Sequence, residues 1–248
     1  MSRPILCDGS YDGLLSALFE AHRRRPMPDA VLMEKPEQTS LFEEVEFIPT
    51  QVEHARRLQR AIDQQLGPSS ATHVQMLHTS FLPDAGTMLL HYLNLGWQVG
   101  RHLDEYMTHP AVLPVHRVSR RVSLEIHRLS GLVRFSPTEQ GVLYAALEPD
   151  YRVIPPLATH FQDRLTNEKW ILHDLRHHQA AFYKPGELRI LTLPANLRPQ
   201  MAEDPYESLW QAFYDAIAIQ HRINPKLRRN HMPARYHKHL PEMQRTKQ

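Results

Sequence analysis

Three pairings in the sequence place an acid or a base beside another polar group: Glu125 with His127, Glu148 with Asp150, and His160 with Asp174. Carboxylates and imidazoles serve general acid–base chemistry, or metal-assisted phosphodiester hydrolysis, when they stand beside a cationic surface. Two stretches offer such a surface. At about 100° per residue, Arg117, Arg121 and Arg128 fall within roughly 40° of one another on one helix. From Ala216 through Pro241 there is no acidic side chain, while Arg222, Lys226, Arg228, Arg229, Arg235 and Lys238 recur, with Tyr236 and His221, His231, His237 and His239 among them. Arginine and lysine neutralise phosphates, and a tyrosine ring can stack on a base. The candidate catalytic set is therefore Glu125, Asp150, His160 and Asp174. The candidate nucleic-acid set is Arg117, Arg121, Arg128, Arg222, Lys226, Arg228, Arg229, Arg235, Tyr236 and Lys238. Comparable acid–base sets occur in any α+β domain of this size, so the basic surface carries more weight than the carboxylates.

Other chemistries find less support. There is no Walker loop, no GxGxxG, no GxSxG and no HExxH. Cys7 is the only cysteine, which excludes an iron–sulfur cluster held by this chain's own thiolates and a disulfide framework within it. It reads as a small buried residue. Among the 17 histidines, His173 and His177 are four apart on an expected strand with Asp174 between, and His237 and His239 alternate beside His231. Neither set has the organised spacing of a zinc site, so no metal site and no cofactor is expected in this chain.

The elements that must position these residues fall into two halves. "RPILCDGS" and "EVEFIPT" read as short strands. Helices are expected over "YDGLLSALFEAHRRR", over "QVEHARRLQRAIDQQL" with Thr50 and Glu53 as a capping box, over about 70–81, and over 84–107. The polar segment from Glu34 to Glu46 reads as a loop. The first 110 residues are thus mostly helical. The helix over 111–130 follows, with Val118, Val122, Ile126 and Leu129 on a stripe apart from the arginines and Glu125 at the border. Beyond it, "GLVRFS", "VLYAALE", "KWILHDL", "QAAFYK" and "ELRILTL" alternate as strands do. "VIPPLATHFQDRL" and the segment from Asp204 to about Ile217 read as helices. The expected fold class is α+β: a mostly helical region over 1–110, and an antiparallel sheet covered by helices over 111–248, as two regions or as one integrated domain.

Charge separates the halves more clearly than composition does. Residues 1–110 hold 9 Lys/Arg and 14 Asp/Glu; residues 111–248 hold 20 and 13. Such asymmetry points to a polyanion partner for the second half, or to mutual attraction of the two halves. The single cysteine fits a reducing, cytoplasmic compartment. No secretory leader is apparent in "MSRPILCDGS". The most apolar segment, "GTMLLHYLNLGWQVG", is short and carries His91, Asn94 and Gln98, so no membrane span is expected.

Several stretches together resemble a bacterial family assigned to DNA metabolism and DNA repair: "YDGLLSALFEAH", "EIHRLSGLVRF", "LYAALEPDYRVIPPLATHFQDRL", "WILHD" and "NPKLRRNHMPARYHKHLPEM". In that family the C-terminal half is a domain of unknown function, sometimes fused to a uracil-DNA glycosylase, and members are encoded beside a radical-SAM DNA modification or repair protein. The resemblance implies DNA and a radical-SAM protein as partners, with the iron–sulfur cluster and S-adenosylmethionine belonging to that partner. It carries over no catalytic residue. In the family's tail motif a Trp commonly stands where His237 does here, which removes one stacking contact. The expected function is binding of nucleic acid in support of a radical-SAM repair or modification enzyme. The alternatives are a metal-assisted or acid–base hydrolase acting on nucleic acid, and a protein adaptor that binds none.

Overall fold

The computed structural model describes residues 3–34, 45–197 and 232–240. The acidic segment 35–44, the expected helix after Asp204 and the cationic residues Arg222, Lys226, Arg228 and Arg229 lie outside them. The chain divides into two compact units, Met1–Ser123 and Leu124–Gln248. No helix among the described residues is long and apolar enough to cross a membrane.

In the first unit, strands β1 (Ile5–Leu6), β2 (Val31–Leu32) and β3 (Glu46–Phe47) form a parallel sheet in the order β2-β1-β3. Helix α1 (Tyr11–Arg23) leaves β1 through Ser10, whose Oγ accepts the Gly13 N–H at 2.9 Å. Leu14, Leu15 and Leu18 of α1 are fully buried. The expected capping box on α2 (Val52–Ala61) does not form. Thr50 instead donates its hydroxyl to Asp8 Oδ2 at 2.6 Å, and Gln51 occupies the cap position without a side-chain bond. Helices α3 (Pro68–Ser80) and α4 (Ala85–Val99) follow. The single helix expected over 84–107 breaks at Gly100, which takes φ 62° and opens a 3-10 turn over Gly100–Glu105. Gly86 lets α4 close on β2, since a Cβ there would stand 2.4 Å from the Val31 carbonyl oxygen. The division between the units falls within α5 (Leu113–Leu132).

The second unit holds a five-stranded sheet in the order β4-β5-β6-β7-β8: Ser136–Pro137, Leu143–Leu147, Trp170–Asp174, Gln179–Lys184 and Glu187–Thr192. The α+β class stands, with one difference from the expected sheet. Strands β5 and β6 pair in parallel, Leu143 opposite Trp170 and Leu147 opposite Asp174, because α6 (Ile154–Arg164) carries the chain back between them. The other three pairings are antiparallel. Helix α6 packs on β6, β7 and β8 through Ile154, Leu157, Ala158 and Phe161. Phe161 meets Phe135 and Trp170 edge-on, and Trp170 stacks on Tyr183 at 5.1 Å. These rings and the apolar strand residues make the core of this unit.

Candidate nucleic-acid interface

Helix α5 separates its residues by spacing. Val115, Val118, Ser119 and Val122 are buried, at the i, i+3, i+4, i+7 positions of an inward stripe. Arg117, Arg120 and Arg121 fall on the other side and are exposed. None of the three has an ion pair or side-chain hydrogen bond among the described residues. Arg120 was not among the expected contacts, although its place one turn before Leu124 puts it on the exposed side. Arg128, in the second unit, is half-buried and engaged in contacts of its own.

The described part of the tail is occupied differently. Residues Ala234–His239 form a 3-10 turn that packs against β5. Arg235, Tyr236, Lys238 and His239 each meet an acid of the same unit, while His237 Nε2 lies 3.1 Å from the Met232 carbonyl oxygen. Tyr236 is 3% exposed and donates its hydroxyl to Glu125 Oε1 at 2.5 Å. Arg235 lies 2.8 Å from Asp150 Oδ2 and 3.6 Å from Glu125 Oε1, with its guanidinium 4.9 Å from the Tyr236 ring centre. Lys238 pairs with Glu148, and His239 Nε2 lies 3.4 Å from the same carboxylate. Burial disfavours the Tyr236 phenolate, the bonded Glu125 carboxylate adds to this, and the phenol pKa lies well above its ordinary value. Burial opposes the Glu148 charge, yet Lys238 and His239 outweigh it and hold its pKa below the usual carboxylate range. Tyr236 therefore presents no open face to a base, which corrects its expected stacking role. Arg235 and Lys238 keep partly exposed heads, but their charges are already matched.

Of the four catalytic candidates, two are sealed from solvent. Glu125 is 3% exposed and accepts the backbone N–H groups of Asp150 at 2.9 Å and Tyr151 at 3.0 Å besides the Tyr236 hydroxyl. Asp174 is fully buried and accepts the N–H groups of Arg176 and His177 at 2.9 and 3.0 Å and the His177 ring at 2.6 Å. Asp150 is spent on Arg235 and on Arg176, the latter at 2.9 Å. Glu125, Asp150 and Asp174 thus share one network, as acceptors that pin backbone and cations. His160 lies on α6 with its Nε2 buried and without a hydrogen-bond partner among the described residues. The His173 and His177 pair does not share a face. Strand β6 ends at Asp174, so His177 sits in the turn beyond it, while His173 meets Tyr144 at 2.9 Å and the Leu193 carbonyl at 3.1 Å.

The three side chains that converge closely enough to hold a metal ion, among the described residues, are elsewhere: His73, Asp104 and His116 of the first unit. They stand 31 and 12 residues apart on separate elements. No local motif could have joined them.

Residues 83–242 match a family model described as a domain of unknown function, DUF4130. No curated protein matches the chain.

Proposed function

The chain belongs to the DUF4130 family, a domain of unknown function, and on that premise we propose that it is a bacterial, cytoplasmic DNA-repair or DNA-metabolism protein that binds nucleic acid and assists a radical-SAM repair or modification enzyme. The observation that supports nucleic-acid binding is the contrast between two sets of cations. Arg235 and Lys238 are matched by Asp150 and Glu148. Arg117, Arg120 and Arg121 are exposed and matched by nothing among the described residues. An unpaired guanidinium is the group that gains most from a phosphate, because it gives up no existing partner to bind it. The resemblance of several stretches to a DNA-repair family supports the radical-SAM partner. The hydrolase alternative is less favoured, since Glu125 and Asp174 are sealed from solvent and committed to hydrogen bonds within the unit.

The test is a charge reversal of the α5 ridge. Changing Arg117, Arg120 and Arg121 together to Glu is expected to reduce DNA affinity to background while far-UV circular dichroism stays unchanged. For the unaltered protein, three phosphate contacts give a log–log salt slope of about −2.7, or about a fortyfold loss of affinity between 50 and 200 mM salt. Equal DNA binding by the reversed and unaltered proteins at every salt concentration sinks the nucleic-acid reading. If the reversed protein then also fails to capture the radical-SAM protein, the ridge is a protein-docking surface.

A further inference from the structure

Four helical elements of the first unit, α3, α4, the 3-10 turn after it and α5, meet at one carboxylate. Asp104, on the 3-10 turn after α4, points its Oδ1 at three groups: the Tyr92 hydroxyl at 2.6 Å, His116 Nε2 at 2.8 Å and His73 Nδ1 at 3.2 Å. Its Oδ2 has only the Ser70 hydroxyl, at 3.3 Å. His73 Nδ1 also lies 3.3 Å from the Tyr92 hydroxyl, which can take its hydrogen bond, so the Tyr92 and His116 donors fill the two lone pairs of Oδ1. The two imidazoles also crowd each other, with ring centres 4.3 Å apart.

A cation can sit among the three, whose ligand atoms converge on one point. His73 and His116 then direct lone pairs rather than protons inward, their protons moving to the far ring nitrogens, and Oδ1 becomes a ligand. The donor atoms lie within 4.8 Å of one another, with the two His–Asp separations at 3.2 and 2.8 Å. Ligands at 2.0–2.1 Å from a tetrahedral zinc ion stand about 3.3 Å apart, so small adjustments seat one. The side chains of His73, Asp104 and His116 are 14%, 21% and 18% exposed, which leaves a path for an ion to enter.

We infer that His73, Asp104 and His116 form a site for one divalent transition-metal ion of the zinc class, with solvent as the fourth ligand, fastening α3 and the turn after α4 to the first turn of α5. Two imidazoles and one carboxylate suit zinc, cobalt or iron(II), and not magnesium, which prefers an all-oxygen octahedron. The site is independent of the nucleic-acid reading and is tested without DNA.

The full chain is stripped with chelator and titrated with ZnCl2 and with CoCl2. The expected result is saturable binding of one zinc per chain, undisturbed by excess MgCl2, and with cobalt the intense visible absorption of a four- or five-coordinate ion. His73→Gln and His116→Gln should each weaken zinc binding by at least about a hundredfold, since loss of outer partners alone costs ~10–100-fold. His91→Gln, which removes an exposed histidine on α4, should leave it unchanged. If the stripped protein binds no zinc at one equivalent, or if both ligand variants bind it as tightly as the parent, the site is a hydrogen-bonded cluster and the inference is wrong. Should either variant fail to fold, the cobalt spectrum of the unaltered chain decides alone: weak six-coordinate absorption overturns the site.

Discussion

Glu125→Ala is expected to cost the second unit about 3–5 kcal/mol, the range found when one partner of a buried charged network is removed. The size follows from what the carboxylate does. It is 3% exposed and accepts two backbone N–H groups, from Asp150 and Tyr151, and the Tyr236 hydroxyl. Alanine leaves all three donors buried without an acceptor, at ~1–3 kcal/mol each before relaxation. It also leaves Arg235 without one of its two nearby carboxylates. Such a loss is a large fraction of the ~5–15 kcal/mol that holds a domain folded. Tyr236→Phe removes one hydroxyl and leaves Glu125 bonded to the backbone, so it should cost only about 1 kcal/mol. Urea unfolding of the two variants measures the ordering. Amide hydrogen exchange supplies the second reading: protection of the Asp150 and Tyr151 N–H groups should fall sharply in Glu125→Ala alone. A variant with unchanged midpoint and unchanged exchange at those amides would show that Glu125 is not the fastener.

This role changes how charge reversals in the tail must be read. Arg235→Glu would place a second anion against Asp150 and Glu125, and a weaker DNA affinity could follow from a loosened tail even where Arg235 touches no phosphate. Arg117, Arg120 and Arg121 carry no such ambiguity, because none of them has an ion pair or side-chain hydrogen bond among the described residues. Why the sequence pointed to both surfaces alike is a matter of range. Periodicity sees neighbours along one element, so it separates Val118 and Val122 from Arg117 and Arg121, and it finds α6 and the strands over 170–192. It cannot see that Tyr236 reaches Glu125, 111 residues earlier. The parallel β5–β6 pairing was hidden for a related reason. Strand residues alternate or run apolar whichever way the neighbour points, and only the intervening α6 permits the parallel choice. The Asp104 cluster draws on α3, α4, a 3-10 turn and α5, so its parts look like isolated polar residues along the chain. Thr50 shows the converse failure. Its spacing to Glu53 matched a capping box, but Asp8, 42 residues earlier, took its hydroxyl.

Alkaline pH should unfold both units more steeply than their lysines and arginines alone would require, because two buried phenols, Tyr92 and Tyr236, and the half-buried Tyr11 must give up a proton to ionise. Burial raises the Tyr11 pKa to about 12, with the Asp63 and Asp12 charges adding to it. Burial and the bond to Asp104 raise Tyr92, and burial and the bond to Glu125 raise Tyr236, both far above the ordinary phenol value. An unfolded tyrosine titrates near pH 10. Between about pH 10 and 12, then, the folded chain keeps protons that the unfolded chain has lost, and stability falls as pH rises, by about 1.36 kcal/mol per pH unit for each such proton. Stability from these groups is fully present below pH ~10. The first unit, with Tyr11 and Tyr92, should lose about 2.7 kcal/mol per pH unit, and the second, with Tyr236, about half that. Urea midpoints at pH 9, 10 and 11, taken with a chelator present, measure the slopes. Tyr236→Phe should flatten the second unit's slope and leave the first unit's alone, whereas Tyr92→Phe should about halve the first unit's slope, Tyr11 keeping the rest, and leave the second unit's alone. If the midpoints of the unaltered chain do not move between pH 10 and 11, or if Tyr236→Phe keeps the full slope, the hydroxyl of Tyr236 is open to solvent. The tail would then be free of Glu125, and the ring available to a base after all.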